Sequence, residues 1–238
     1  MKLEGKRALV TGAARRIGRG LAEALAARGC RLALHCNRSV AEAEELARDL
    51  RRRGAEAYVI RQNLLTPGAG EKLVRRARKL LGGLDILVNN AAVFEKETIT
   101  AATEKSLRGT IEINLMAPVL LTRAFAAQSA KGKIVNILDR RIAGREPGLA
   151  AYLLSKKALA EFTKIAALEL APGISVNGIA PGPVLAPVVK KQREPAGKIP
   201  LNRRPSAADV AGALVFLLEN DSITGEIIFV DCGQHLEG

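Results

Sequence analysis

The sequence predicts an α/β fold, a doubly wound parallel sheet of about seven strands with helices on both faces. Short apolar runs of four to six residues alternate with stretches of helical apolar spacing along the whole chain. That is the pattern of a parallel sheet covered on both sides. A glycine-rich turn follows the first apolar run directly. The 238 residues show no linker and no internal repeat, and a chain of this length buries a sizeable core as one domain, 1–238.

The elements follow in order. Residues 7–10 read as the first strand, and 15–28 as a helix with Ile17, Leu21, Ala24 and Leu25 at helical spacing, stopped by Gly29. Residues 31–36 are a second strand. Ser39 with Glu42 has the form of a capping box and opens a helix to about Arg53, ended by Gly54. A third strand spans 57–61, a basic amphipathic helix 70–81 and a buried-type strand 86–89; 103–130 is mostly helical. A strand at 133–138, a helix at 150–170 and a strand at 175–179 come next. Ser206 with Asp209 caps a helix to about Leu218, and 227–230 is the last strand. The one irregular stretch, 181–205, holds six prolines and the basic residues Lys190, Lys191, Arg193 and Lys198. A long loop of this kind covers a site, so a lid is expected at about 183–205.

Composition narrows the function classes. With 48% hydrophobic and 26% charged residues the chain is not disordered. Lys+Arg 37 against Asp+Glu 24 gives a net charge of +13, which alone suggests nucleic acid. Binders of RNA or single strands interleave aromatics with their basic residues, and this chain has two Tyr, five Phe and no Trp. A solvated basic surface that draws anionic small molecules is the better reading, with much of the charge on a helix face (Lys72, Arg75, Arg76, Arg78, Lys79). Cys30, Cys36 and Cys232 have neither paired nor metal-ligand spacing, which predicts reduced thiols, a cytoplasmic setting and no metal site. No apolar run reaches the length of a membrane span, and no signal peptide is read at the N-terminus.

The turn after the first strand is Thr11-Gly12-Ala13-Ala14-Arg15-Arg16-Ile17-Gly18. Gly12 permits the tight turn and Gly18 close packing of helix on strand, so the helix N-terminus presents free N–H groups to a pyrophosphate. Folds that use NAD place an acidic residue at the end of the second strand to bind the ribose 2′-hydroxyl. Here the residues are Asn37, Arg38 and Ser39, and a guanidinium beside a hydroxyl suits a 2′-phosphate. The expected cofactor is therefore NADPH, with Arg16 a second cation near its phosphates.

Over nearly its full length the chain resembles the short-chain dehydrogenase/reductase family, a Rossmann-type fold. Residues 11–18 resemble the family's TGxxxGxG turn, and Asn89-Asn90-Ala91 its NNAG strand end. Asn114 matches its helix Asn, Tyr152 to Lys156 its YxxxK, and 177–182, ending in Pro181-Gly182, its N-x-x-x-P-G segment. Two departures, Arg16 for the middle Gly and Asp139 for the active-site Ser, look like the pteridine reductase branch, which includes bacterial dihydromonapterin reductases. The resemblance implies catalytic roles for Asp139, Tyr152, Lys156 and Asn114. It implies cofactor contacts from Gly12, Arg16, Ile17, Gly18, Asn37, Arg38, Ser39, Asn63, Asn90, Ala91, Tyr152, Lys156, Pro181 and Gly182. Phe94 stands where that branch stacks a pterin, so Arg16, Phe94, Asp139 and Tyr152 are the implied substrate residues. Ala92 and Val93 stand where the branch often has Ser, which removes one substrate hydrogen bond. A homotetramer is the family's usual assembly.

Tyr152 and Lys156, four residues apart, share a helix face. A nearby ammonium favours a phenolate, which predicts a lowered Tyr152 pKa. By resemblance, Asn114 orients a water that links Lys156 to solvent. A carboxylate at Asp139 repels the oxyanion that carbonyl reduction develops. Reduction of a pterin C=N bond needs a proton on nitrogen instead, which an Asp beside a Tyr can relay. The expected activity is thus NADPH-dependent reduction of a pteridine such as dihydrobiopterin or dihydromonapterin. A carbonyl reductase, for example of 3-oxoacyl carrier protein, is the alternative enzyme, and a non-catalytic nucleotide-sensing or nucleic-acid-binding protein the alternative of another class.

Overall fold

The computed structural model describes residues 1–184 and 199–237. Seven strands form one sheet: β1 (Arg7–Val10), β2 (Arg31–Cys36), β3 (Ala57–Arg61), β4 (Ile86–Asn89), β5 (Gly132–Ile137), β6 (Ile174–Pro181) and β7 (Ile227–Val230). The helices are α1 (Arg16–Ala27), α2 (Val40–Arg52), α3 (Ala69–Leu81), α4 (Glu104–Ile111), α5 (Ala117–Ala126), α6 (Ala150–Glu169) and α7 (Ala207–Glu219). The strand order is β3-β2-β1-β4-β5-β6-β7, and every pairing is parallel. The order reverses between β1 and β4, where a doubly wound sheet opens a crevice at the carboxyl ends of its strands.

Alternation within strands builds the two cores. Ala8 and Val10 of β1, Leu32 and Leu34 of β2 and Ile86 and Val88 of β4 pack with α1, α2 and α7. Their intervening neighbours Leu9, Ala33 and Leu87 pack on the opposite face with Leu73, Val74 and Ala77 of α3 and Leu121 and Phe125 of α5. Successive residues point to opposite faces, so apolar runs without a polar partner residue require cover on both. Each fully buried Leu or Ile contributes about 1.5–3 kcal/mol of transfer free energy.

The seven expected strands are present with boundaries shifted by at most two residues. The capping box at Ser206 forms, with reciprocal bonds to Asp209. The one expected at Ser39 does not: Ser39, at ψ 55° rather than in the extended region of an N-cap, makes no side-chain cap, and the Glu42 carboxylate pairs with Arg15 of the glycine turn. The helical stretch after Thr103 is interrupted by a π turn, Glu112–Met116, between α4 and α5. Of the expected lid, residues 185–198 lie outside the described residues. The basic residues of α3, Lys72, Arg75, Arg76, Arg78 and Lys79, are exposed as expected. Among the described residues no helix is long and apolar enough to cross a membrane, and no group of His, Cys, Asp and Glu gathers to hold a metal ion.

Candidate active site

The carboxyl edge of the sheet carries the candidate residues. At the end of β1, Gly12 turns the chain at φ +63°, and a Cβ there would meet Ala91 Cα at 3.0 Å. Gly18 of α1 lies so close under the turn that a Cβ would stand 2.1 Å from the Gly12 carbonyl oxygen. Arg16, between them, holds a left-handed φ of +54°. That conformation favours glycine, which accounts for the Gly that the resemblance expects here. The α1 N-terminus has no side-chain cap, so its leading N–H groups face the crevice as the anion site of a helix end.

Two side chains brace this turn. Asn90 donates from Nδ2 to the carbonyls of Thr11 (2.8 Å) and Gly12 (3.1 Å). The Thr11 hydroxyl accepts from the Asn90 and Ala91 N–H groups. Asn90 was expected as a cofactor contact; in the structure its amide is engaged by the turn. His35, buried at the end of β2, accepts from the Gly12 N–H at Nδ1 (3.2 Å) and reaches the Gln62 carbonyl with Nε2 (2.9 Å). These partners assign the neutral Nε2–H tautomer, and burial pushes the His35 pKa down. Asn37 and Arg38 follow on the exposed rim, with Ser39 half-buried, and Arg38 makes no ion pair among the described residues. Asn63, past the end of β3, accepts from the Leu65 N–H with its side chain (3.1 Å). On the far side, Pro181 closes β6 beside Val230, and the Gly182 N–H donates to the Val230 carbonyl at 3.0 Å.

Asn114 sits in the π turn and is fully buried. It accepts from the Val93 N–H (2.9 Å) and donates to the Val93 carbonyl (2.9 Å) and to Ser155 Oγ (3.2 Å). The Asn114 side chain thereby bridges the segment after β4 to α6. The wider π turn re-aims a single side chain in this way. Ser155 donates to the Tyr152 carbonyl at 2.6 Å, and the Glu97 N–H donates to the Gly148 carbonyl at 2.9 Å. The segment bearing Phe94 is thereby fixed beside the start of α6.

At the heart of the site, Asp139 follows β5. Its Oδ1 caps the next turn by accepting from the Arg141 N–H at 2.8 Å. Its Oδ2 accepts from the Tyr152 hydroxyl at 2.8 Å. The Arg141 guanidinium stands 3.4 Å from Asp139 Oδ2 and 2.5 Å from Glu146, and lies over the Phe94 ring at 5.6 Å. The Phe94 and Tyr152 rings meet edge to face at 4.7 Å. Phe94, Asp139 and Tyr152, widely separated in sequence, thus converge as expected; the structure shows no contact of Arg16 with them.

The electrostatics differ from the sequence reading. Tyr152 is pushed well above the ordinary tyrosine range by burial first, then by the charge and hydrogen bond of Asp139, with only Arg141 opposing. The expected lowering by Lys156 is corrected. Lys156 donates to the Ile137 carbonyl at 2.7 Å, and burial lowers its own pKa to about 8 against the pull of Asp139. Behind the site, a buried chain runs from Asn89 to Asn136 (2.8 Å) and on to Thr163 (2.9 Å), joining β4, β5 and α6. Sequence reasoning missed Asn136 and Ser155 as site-building residues; it had His35 only as part of the 35–39 run and Arg141 only as a possible ion-pair partner of Asp139, which it is. A polar residue inside an apolar strand was the signal for Asn136, and Ser155 had none.

A family model described as short chain dehydrogenase matches residues 6–197. The chain belongs to the short-chain dehydrogenase family. Among curated relatives, galactitol 2-dehydrogenase of Agrobacterium fabrum is 34% identical, covering 98% of this chain and 99% of its own. The 3-oxoacyl-acyl-carrier-protein reductase FabG of Staphylococcus epidermidis is 30% identical, covering 97% and 99%. Among solved structures, FolM alternative dihydrofolate reductase 1 from Brucella canis, complexed with NADP, superposes with a TM-score of 0.92 at 36% identity, over 99% of this chain and 96% of that one. The Brucella suis protein, also in complex with NADP, matches with the same score and identity. This short-chain dehydrogenase therefore has relatives of both carbonyl-reducing and dihydrofolate-reducing description.

Proposed function

We propose that this oxidoreductase is NADPH-dependent and reduces a C=N bond of a pteridine such as dihydrobiopterin or dihydromonapterin. One observation carries the substrate class: the Tyr152 hydroxyl donates a hydrogen bond to a carboxylate, Asp139, at 2.8 Å. A developing carbonyl oxyanion beside that carboxylate is repelled, whereas a ring nitrogen that gains a proton is served by it. Similarity to the FolM structures supports the same reading.

The residues present fit the cofactor. The uncapped α1 N-terminus and the tight approach of Gly12 and Gly18 form the pyrophosphate cradle. Arg38 and Ser39, with no acid at the end of β2, fit a 2′-phosphate. Asn63 takes the adenine side, Lys156 the nicotinamide ribose, and Ile17, Asn37, Ala91, Pro181 and Gly182 line the remaining edge. When bound, the nicotinamide supplies a hydride to the carbon of the C=N bond.

This chain's own residues supply the rest. Tyr152, held protonated by burial and by Asp139, gives a proton to the substrate nitrogen, so the double bond gains one hydride and one proton. Asp139 orients the hydroxyl and takes up the following proton from solvent. Phe94, 47% exposed beside Tyr152, offers a face on which a flat ring stacks. Asn114 keeps the Phe94 segment and α6 in register.

Similarity to FabG and to galactitol 2-dehydrogenase favours carbonyl reduction as the second reading; Asp139 weighs against it. The exposed apolar residues Leu107, Met116 and Leu120 around α4–α5 and Leu154, Ile165 and Leu168 on α6 are the faces that we expect to pair in a homotetramer. The free thiols fit a cytoplasmic setting. The test is NADPH oxidation with dihydrobiopterin and dihydromonapterin, run beside a ketone panel and 3-oxoacyl carrier protein. Turnover of a pterin is expected; turnover of carbonyls alone overturns the reading.

A further inference from the structure

We propose that Arg141, held in place by Glu146, is a positioning residue for the reaction: it neutralises the Asp139 carboxylate against which Tyr152 must give up its proton. The geometry is specific. Arg141 stands on the turn that Asp139 itself caps through the Arg141 N–H (2.8 Å), so the guanidinium is tethered to the carboxylate that it serves. It reaches that carboxylate at 3.4 Å. Glu146 grips Nε at 2.5 Å, and the Phe94 ring lies against the guanidinium at 5.6 Å. With 11% of its side chain exposed, this cation is poorly screened by solvent.

Its necessity follows from the reaction. When Tyr152 releases a proton to substrate, a phenolate is left 2.8 Å from the Asp139 oxygen. Two anions at that separation disfavour each other strongly. In a family whose YxxxK pair suggests a lysine for this duty, the Lys156 ammonium donates to the Ile137 carbonyl at 2.7 Å rather than to Tyr152 or Asp139. Among the described residues, Arg141 is the cation within ion-pair distance of Asp139. Electrostatics agree, since Arg141 is the influence that lowers the Tyr152 pKa. The guanidinium therefore lets Asp139 remain an acceptor without holding the proton on Tyr152.

The inference rests on Tyr152 as proton donor and not on the pterin. It is tested with Arg141→Met, Arg141→Lys and Glu146→Gln, measuring NADPH oxidation with dihydrobiopterin. In parallel, the substrate-free protein labelled at tyrosine Cζ with carbon-13 is read by NMR. The chain has only two tyrosines, so Tyr58→Phe assigns the Tyr152 resonance. Arg141→Met is expected to lower kcat about 10–100-fold, the scale of a general-acid contribution, with the KM for NADPH little changed. Glu146→Gln falls between, and Arg141→Lys recovers most of the loss. The Tyr152 resonance moves in Arg141→Met and returns in Arg141→Lys. Wild-type kcat in Arg141→Met, or equal losses in Met and Lys variants with an unmoved resonance, overturns the role. If wild type does not turn over dihydrobiopterin, the substrate reading fails and the resonance alone decides: unmoved in both Arg141→Met and Glu146→Gln, it overturns the role, and moved, it supports it.

Discussion

The Tyr152 hydroxyl donates to Asp139 Oδ2 at 2.8 Å, while the other Asp139 oxygen caps the turn that follows β5. One carboxylate thus both builds its loop and holds the hydroxyl that we propose as the acid. Removing the phenol leaves the loop intact and removes the acid. Tyr152→Phe is expected to fold, to bind NADPH and to lose about 10²–10⁴-fold in kcat. Stopped-flow binding and steady-state turnover check this. A variant retaining more than a tenth of wild-type kcat contradicts it.

Arg16 holds a strained backbone in the turn that we propose cradles the cofactor. At φ +54° a non-glycine residue costs about 1–2 kcal/mol relative to right-handed backbone, part of which glycine would return through its greater loss of chain entropy. Arg16→Gly is expected to raise stability by about 1 kcal/mol and Tm by about 2–4 °C, while weakening NADPH. Thermal melts with and without NADPH measure both; a lower Tm in the free protein contradicts the strain.

On the proposed reading, Arg38 sets cofactor choice. It lies exposed past β2, at the position that a 2′-phosphate would reach. A charge-assisted bond contributes about 1.5–3 kcal/mol, so Arg38→Ala is expected to raise the Kd of NADPH about 10–100-fold and to leave NADH nearly unchanged. Fluorescence titration with each cofactor is the check, and equal losses for both contradict the assignment.

His35 makes the phosphate turn sensitive to acid. Its folded pKa lies below the ordinary histidine value because of burial, so in the window beneath about 6.5 the unfolded chain binds the extra proton. Stability is complete above that pH and falls as pH falls toward the folded pKa. Protonation at Nδ1 also removes the acceptor for the Gly12 N–H. Denaturation midpoints and NADPH affinity are expected to decline together from pH 6.5 to 5. His35→Asn keeps an acceptor near Gly12 but does not titrate, and should flatten the decline. The same slope in both proteins contradicts this.

What was legible in the sequence were features with a local cause. The strands were readable because burial on both faces demands unbroken apolar runs, as in Ala8–Val10 and Ile86–Val88. The turn was readable because Gly12 needs a positive φ. The convergence of Phe94, Asp139 and Tyr152 came through family resemblance. Features with a tertiary cause were hidden. Glu42 follows Ser39 at capping-box spacing, but the backbone at Ser39 is not that of an N-cap and the Glu42 carboxylate pairs with Arg15 from another segment. The π turn that aims Asn114 leaves no spacing signature. Burial reverses the expected effect on Tyr152, and the partner of Lys156 is a backbone carbonyl on β5.

The most direct test of the account is the substrate preference of Asp139→Ser, measured as kcat/KM for dihydrobiopterin against a ketone that the variant accepts. Serine restores the hydroxyl suited to an oxyanion and removes the carboxylate that serves a ring nitrogen. The account predicts that wild type prefers the pterin and that the variant loses about 10²-fold or more on it while gaining on the ketone. Pterin turnover unchanged in Asp139→Ser contradicts it.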